Sequence, residues 1–553
     1  MDRERIPRRA FVMGALGLGV GAGILKLADY QIINAETYRA RADQRRVYSQ
    51  KLFAKRGTFY DRNGVVLTSS VECQNVYADP SKVEKKNKTA KALAEILGVD
   101  EEECREKLDR DGTFVYIKRQ VPQDVADELA DRDLAGIGFE PSIMRLYPNG
   151  GLASQLLGTV NVDNEGVSGL ESYYDEILGG EDGWIARERA RDGSYIAGGA
   201  YEKVDAQDGT DIVLTIDSDI QRAAEDALSV AVDSSHATYG SIIAMDPRTG
   251  EILACCSNPT YSQTDLANAR TEDMYLRVVT DSYEPGSVFK AIVTGMACDK
   301  GVVDPDTTFE VPANVQVGDD MVSDVDDRNY GMTMTVREIM RRSSNTGMVL
   351  VGQKIGADDF AEYLTAFGID ESSGIDYPGE SRGTIRSRDE YDGSSLGSMS
   401  FGQGIAVAPI RVARAIASIA NGGIMCTPHF VMTKGGESVD WSDGETRTIS
   451  QEAADMVTSM MLTVVDEGTG ADAAIEGYDV AGKTGTAQRA DESGGYSENS
   501  FMSSFLGFAP AQDPRVMVYV TLDGTPRSSS AAMPPFKSVM TTALDVLGVK
   551  PTR

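Results

Sequence analysis

Histidine is nearly missing from this chain: of 553 residues only His236 and His429 carry imidazole. A Ser-His-Asp triad or a histidine-rich zinc site therefore has little material to work with. Cysteine is scarce as well, and Cys73, Cys104, Cys255, Cys256, Cys298 and Cys426 form no C-x-x-C pair. A Cys73–Cys104 disulfide is possible in an exported domain, but spacing alone leaves pairing open. Cys255 and Cys256 are neighbours, so on a strand they would point to opposite faces as core thiols. Positive charge is short too: 54 basic against 85 acidic residues leave a formal charge of −31. That balance argues against a nucleic-acid partner and favours solubility.

What is present describes a globular protein of several parts. Hydrophobic residues make up 41% and charged residues 25%, and 553 residues exceed one core. Acidic runs such as Glu101-Glu102-Glu103 and Asp324-Val325-Asp326-Asp327 read as solvated faces. The second lacks the regular ligand spacing of a calcium loop, and no metal or cofactor site is expected.

The chain opens with Arg3, Arg5, Arg8 and Arg9, followed by an apolar run from Ala10 to Leu25 that resumes beyond Lys26. Sixteen uncharged residues are marginal for a span of about 20, and snorkelling by Lys26 would extend them. The basic flank would hold residues 1–9 in the cytoplasm, with 10–33 as an uncleaved single-pass anchor and the remainder outside the cell. Arg8-Arg9-Ala10-Phe11-Val12 also resembles a twin-arginine export signal. A polar helical stretch is expected from Ala35 to about Tyr48. Asn63-Gly64 then marks a hairpin turn, and Thr89 to Asp133 alternates helical patterns with short linkers.

Chemistry is concentrated further on. Pro285-Gly286 break the preceding segment, so Ser287 should open a helix with Lys290 one turn later on the same face. A serine needs a base to become a nucleophile, and a desolvated lysine is one candidate. Thr335-Val336-Arg337-Glu338 has the form of a capping box for a helix ending near Ser343. Ser343-Ser344-Asn345 would then lie in the loop before a helix at Gly347. Val480 to Thr486 reads as an edge strand, with Thr484 and Thr486 on one face and Lys483 and Gly485 on the other. Gly485 would let another backbone approach. Strands at both ends of this region, with helices between, fit an antiparallel sheet covered by helices.

The set Ser287-x-x-Lys290, Ser343-x-Asn345 and Lys483-Thr484-Gly485 is shared by class A β-lactamases and penicillin-binding proteins. With Arg56-Gly57-Thr58-Phe59-Tyr60-Asp61-Arg62-Asn63-Gly64, Arg145 to Gly150 and Gly166 to Glu171, the chain resembles a class B penicillin-binding protein over nearly its whole length. Val288 departs from the family's usual threonine, with no catalytic consequence expected. The resemblance implies an α+β multidomain fold: the anchor, an elongated mixed α/β pedestal at 34–206, and a penicillin-binding transpeptidase domain at 207–553. It implies that Ser287 is the nucleophile, Lys290 its base and Ser343 a proton relay. Asn345, Lys483, Thr484, Gly485 and Thr486 would bind substrate, and the backbone N–H groups of Ser287 and Thr486 would form the oxyanion hole.

The substrates would be peptidoglycan stem peptides, with β-lactams as inhibitors. A membrane glycosyltransferase and division or elongation proteins would be partners. Ser-Ser-Asn leans towards the division or sporulation branch. A serine β-lactamase, ordinarily roughly half this length without anchor or pedestal, and a catalytically silent division scaffold are the alternatives. A penicillin-sensing receptor would need several membrane spans.

Overall fold

The structure, a computed structural model, describes residues 8–34, 36, 47–188, 195–197, 201–325, 328–490, 496–526 and 529–553. They fall into two compact units, one drawn from Met1–Lys55 and Gly180–Asp208, the other from Arg56–Gly179 and Gly209–Arg553.

In the first unit a helix at Arg8–Ala28 continues through a wider π turn at Asp29–Ile33. Within it, Val12–Ile33 is 22 residues long and apolar enough to cross a membrane, with none of it buried in the protein. At 1.5 Å per residue that is about 33 Å, close to a bilayer core. The helix runs through Lys26 without a break. Most of the Ala35–Tyr48 stretch lies outside the described residues, but its end is not helical: Val47 and Tyr48 begin the strand Val47–Leu52. That strand pairs with Gly183–Glu188, which pairs with Tyr201–Val204.

The second unit opens with β1 (Phe59–Tyr60) and β2 (Val66–Ala78), antiparallel across the Asn63-Gly64 turn. β2 pairs with both β3 (Val115–Pro122) and β4 (Ile137–Leu146). Helices α1 (Lys86–Leu97), α2 (Glu101–Asp109) and α3 (Gln123–Ala130) bury Leu93, Leu108 and Leu129 in a small core here. Glu101, Glu102 and Glu103 are exposed in the first turn of α2, where negative charge suits the helix dipole. Cys73 and Cys104 are free thiols, so no bridge joins them: Cys73 bonds to Ser142 on β4, while Cys104 packs among the helices. At the heart of this region Glu171 receives Arg56 at 2.5 Å and Arg145 at 2.7 Å, all three buried. The resemblance motifs around Arg56, Arg145 and Glu171 thus meet in one ion-pair cluster. β5 (Ile212–Leu214) runs parallel to β1.

After α4 (Ser218–Ser235), capped by Asp217, come β6 (Tyr239–Met245) and β7 (Ile252–Asn258), paired as a hairpin. They belong to a five-stranded antiparallel sheet in the order β7-β6-β14-β13-β12, where β12 is Ala481–Ala490, β13 Tyr496–Ala509 and β14 Val516–Thr525. Alternation along these strands feeds two cores. Ile243, Cys255 and Tyr519 face one; Ile242, Cys256 and Val520 face the other. The paired cysteines therefore do part to opposite faces. The outer core is covered by α4 and α10 (Met533–Val546). The inner one holds α5 (Lys290–Asp299), α6 (Val336–Arg342), α7 (Asn345–Ile355), α8 (Pro409–Ala420) and α9 (Gln451–Glu467). An antiparallel sheet covered by helices is the fold expected.

Candidate active site

Gly286 to Phe289 form a single 3-10 turn that leads into α5, so Ser287 sits one turn before the α-helix proper. Gly286 has φ +57°, and a Cβ there would stand 2.9 Å from the carbonyl oxygen of Thr486. Only glycine combines that backbone with so close an approach. The turn thus brings the Ser287 backbone beside β12. Val288 and Phe289 are buried beneath it and fix it to the inner core.

Lys290 is fully buried, as is Lys483. Lys290 Nζ donates to the Ser343 carbonyl oxygen at 2.6 Å, to Asn345 Oδ1 at 2.7 Å and to Ser343 Oγ at 3.3 Å. Lys483 Nζ donates to the same hydroxyl at 2.8 Å and to the Thr484 carbonyl oxygen at 3.0 Å. Two lysine nitrogens thus converge on one oxygen in a dry place. Burial pulls Lys290 well below the usual lysine range, and the charge of Lys483 adds to the effect. Burial pulls Lys483 down to about 7.

Ser343 follows α6 in the left-handed conformation, φ +58°, which a non-glycine residue adopts at a cost. Asn345 is not in a loop: it is the first residue of α7, and Ser344 caps that helix by accepting from Gly347 N at 3.0 Å. The capping serine moved the helix start two residues earlier than the pattern implied. The capping box at Thr335 is half made: Thr335 Oγ1 accepts from Glu338 N, while the Glu338 carboxylate pairs with Arg341 and Arg342.

Sequence reading placed Asp324 on a solvated face, and the structure corrects this. Beyond the hairpin β8 (Asn314–Val317) and β9 (Asp320–Ser323), Asp324 is buried against the Ser343 corner. Its carboxylate accepts from Ser344 Oγ at 2.9 Å, Thr346 N at 3.0 Å and Arg328 Nη2 at 2.9 Å. Burial opposes ionisation, but these bonds outweigh it and hold its pKa below the usual range. One acidic side chain thereby satisfies the start of α7 and holds Ser344, the residue next to the strained serine. Its neighbours Asp326 and Asp327 lie outside the described residues.

β12 is the free edge of the sheet, as its pattern implied. Gly485 admits Ser504, whose Oγ would lie 2.2 Å from any Cβ there. Thr484 Oγ1 meets Thr469 Oγ1 at 2.9 Å. These pieces enclose a pocket of about 260 Å³. Its walls include Ser287, Ser343, Asn345, Thr484 and Thr486. Lys290, Lys483 and Gly485 lie behind them. Asp324, Val325, Arg342, Phe401, Gln403 and Thr469 also line it, none of them assigned from the motifs. Among the described residues no cluster of His, Cys, Asp and Glu is placed to hold a metal.

Comparison with known proteins gives the family. The penicillin-binding protein transpeptidase domain matches residues 240–541, and the penicillin-binding protein dimerisation domain matches 51–214. PenA of Neisseria meningitidis is 33% identical over 99% of this chain and 94% of its own. Stage V sporulation protein D of Bacillus subtilis is 32% identical, covering 90% and 79%. The peptidoglycan D,D-transpeptidase FtsI of Escherichia coli is 29% identical, covering 98% and 92%. A solved peptidoglycan synthetase from Bifidobacterium adolescentis, 28% identical, superposes with a TM-score of 0.74 over 92% of this chain and 98% of that one. Fold and family match together define a penicillin-binding enzyme. The chain belongs to the penicillin-binding protein transpeptidases, as a class B peptidoglycan D,D-transpeptidase of the division and sporulation type.

Proposed function

We propose that Ser287 is the acylated nucleophile of a two-step peptide transfer in cell-wall cross-linking. The observation that carries this is the Ser343 hydroxyl, shared between Lys483 and Lys290 in the pocket that Ser287 opens into. Neutral Lys290 takes the proton of Ser287 as it attacks the penultimate D-alanine carbonyl of a donor stem peptide. Backbone N–H groups of Ser287 and Thr486 receive the developing oxyanion. Ser343 passes the proton to the departing terminal D-alanine, and the amine of a second stem then takes the acyl group. Asn345 holds a substrate amide. The donor lies along the β12 edge as an added strand, with Thr484 and Thr486 at its carboxylate and Lys483 behind. β-Lactams acylate the same serine and remain there.

In the same reading residues 10–33 anchor the protein with residues 1–9 inside. The pedestal, 34–206, and the transpeptidase domain, 207–553, lie outside, where a membrane glycosyltransferase and division proteins meet the pedestal. A β-lactamase reading has no use for the segment matching the dimerisation domain. Fluorescent penicillin tests the proposal: the label should map to Ser287 and vanish in Ser287→Ala. A label on Ser343 would overturn it. Protease added outside intact cells should cut beyond residue 35 and spare the first ten.

A further inference from the structure

One cation of the pocket has no role in that scheme. Arg342 ends α6, and its side chain lines the pocket beside Ser343, Thr469 and Thr484. Its Nε pairs with Glu338, which also takes Arg341 at 2.7 and 2.8 Å. Hydrogen bonds from Arg341, opposed by partial burial, hold the Glu338 carboxyl at about 2, so it is ionised at neutral pH. Glu338 is thus divided between two guanidinium groups, and the Glu467 carboxylate also acts on Arg341. The Arg342 side chain is 39% exposed, and its two Nη groups meet no acceptor among the described residues.

The groups facing this rim differ in charge. Asp324, across the pocket, is paired with Arg328 at 2.9 Å. The last residue of α9, Glu467, offers its backbone oxygen to Arg341, and the loop beyond it offers the hydroxyl of Thr469. Lys290 and Lys483 are buried and share the Ser343 hydroxyl, and two dry ammonium groups so placed do not both stay charged. Guanidinium does stay charged in proteins, and its planar fork matches a carboxylate.

We infer that Arg342 recognises the carboxylate of the acyl donor, meeting from the α6 side the group that Thr484 and Thr486 meet from the strand. The inference rests on the reading that Ser287 takes a carboxylate-bearing donor. Lys483 then serves the Ser343 hydroxyl from below, and the lasting attraction for an anionic ligand comes from the rim.

The test compares acylation rates for a penicillin with a free ring carboxylate and for its uncharged methyl ester, on the full chain in detergent. Arg342→Gln and Arg342→Ala should slow the acid about tenfold and leave the ester within about twofold. Arg342→Lys should keep most of the acid's advantage, since it keeps the charge. Equal slowing of acid and ester, or an acid rate within about twofold of wild type in either variant, overturns the inference while Ser287 remains labelled. Absence of label on wild-type Ser287 takes down the underlying reading and the inference with it. Melting temperatures separate lost recognition from lost fold.

Discussion

Lys290 and Lys483 reach the Ser343 hydroxyl from two elements, α5 and β12, at 3.3 and 2.8 Å. Lys290 also holds the Ser343 carbonyl oxygen and Asn345, so its nitrogen is tied to the corner rather than to Ser287. Catalytic hydrogen bonds often tighten only in the substrate complex. In the proposed scheme Lys290 must therefore lose a proton and turn towards Ser287.

That makes Lys290→Arg the sharpest single substitution. Arginine keeps the charge but cannot be deprotonated in proteins. The variant should fold and lose penicillin acylation by roughly 10²–10⁴-fold, the usual worth of a general base. The double variant with Ser287→Ala should be barely worse than either single one. Acylation by Lys290→Arg within about tenfold of wild type, about 1.4 kcal/mol, would make the lysine a charge instead.

Lys483 predicts a pH dependence of stability. Burial lowers its folded-state pKa to about 7, while an unfolded lysine titrates near about 10.4. Below about 7 both states hold the proton and the burial penalty is fully present. Between about 7 and about 10.4 the unfolded chain alone holds it, so stability rises with pH in that window. The melting temperature of wild type relative to Lys483→Met should climb from pH 7 to pH 9; a flat difference would mean the lysine stays charged when buried.

Asp324→Asn tests the hold on Ser344, next to the strained Ser343. The amide keeps the shape, loses an acceptor and weakens the bond to Arg328, at a cost of about 1–3 kcal/mol. Unfolding in urea should show that loss. Acylation should fall further than in variants of equal stability away from the pocket, because the residue beside Ser343 is released. Unchanged acylation at reduced stability would limit Asp324 to a structural part.

Glu171→Gln should be among the most damaging changes away from the pocket. It leaves the buried Arg145 without its counter-charge and Arg56 with Asp175 alone. Breaking a buried pair typically costs 3–5 kcal/mol. A shift of less than about 1 kcal/mol in urea unfolding would show that water reaches the cluster.

The sequence alone determined the parts whose signals are local. Ser287 and Lys290 share a helical repeat, Thr484 and Thr486 a strand repeat, and Asn63-Gly64 its own turn; each needs only a few adjacent residues. Family motifs carried the rest of the legible site, from Ser343 to the Arg56 and Glu171 segments, though not their meeting in space. Tertiary structure decided what depends on partners far along the chain. Asp324 reads as one acid in a polar run, and only the fold presses it against Ser344 and Thr346 and keeps water out. Arg342 reads as the end of a helix until Thr469 and Thr484 close the pocket beside it. Lys290 and Lys483 lie 193 positions apart in a chain with no local clue to their meeting. Their lowered affinity for protons exists only once the sheet edge and α5 have shut out solvent, because burial, not sequence, sets the energy of a charge.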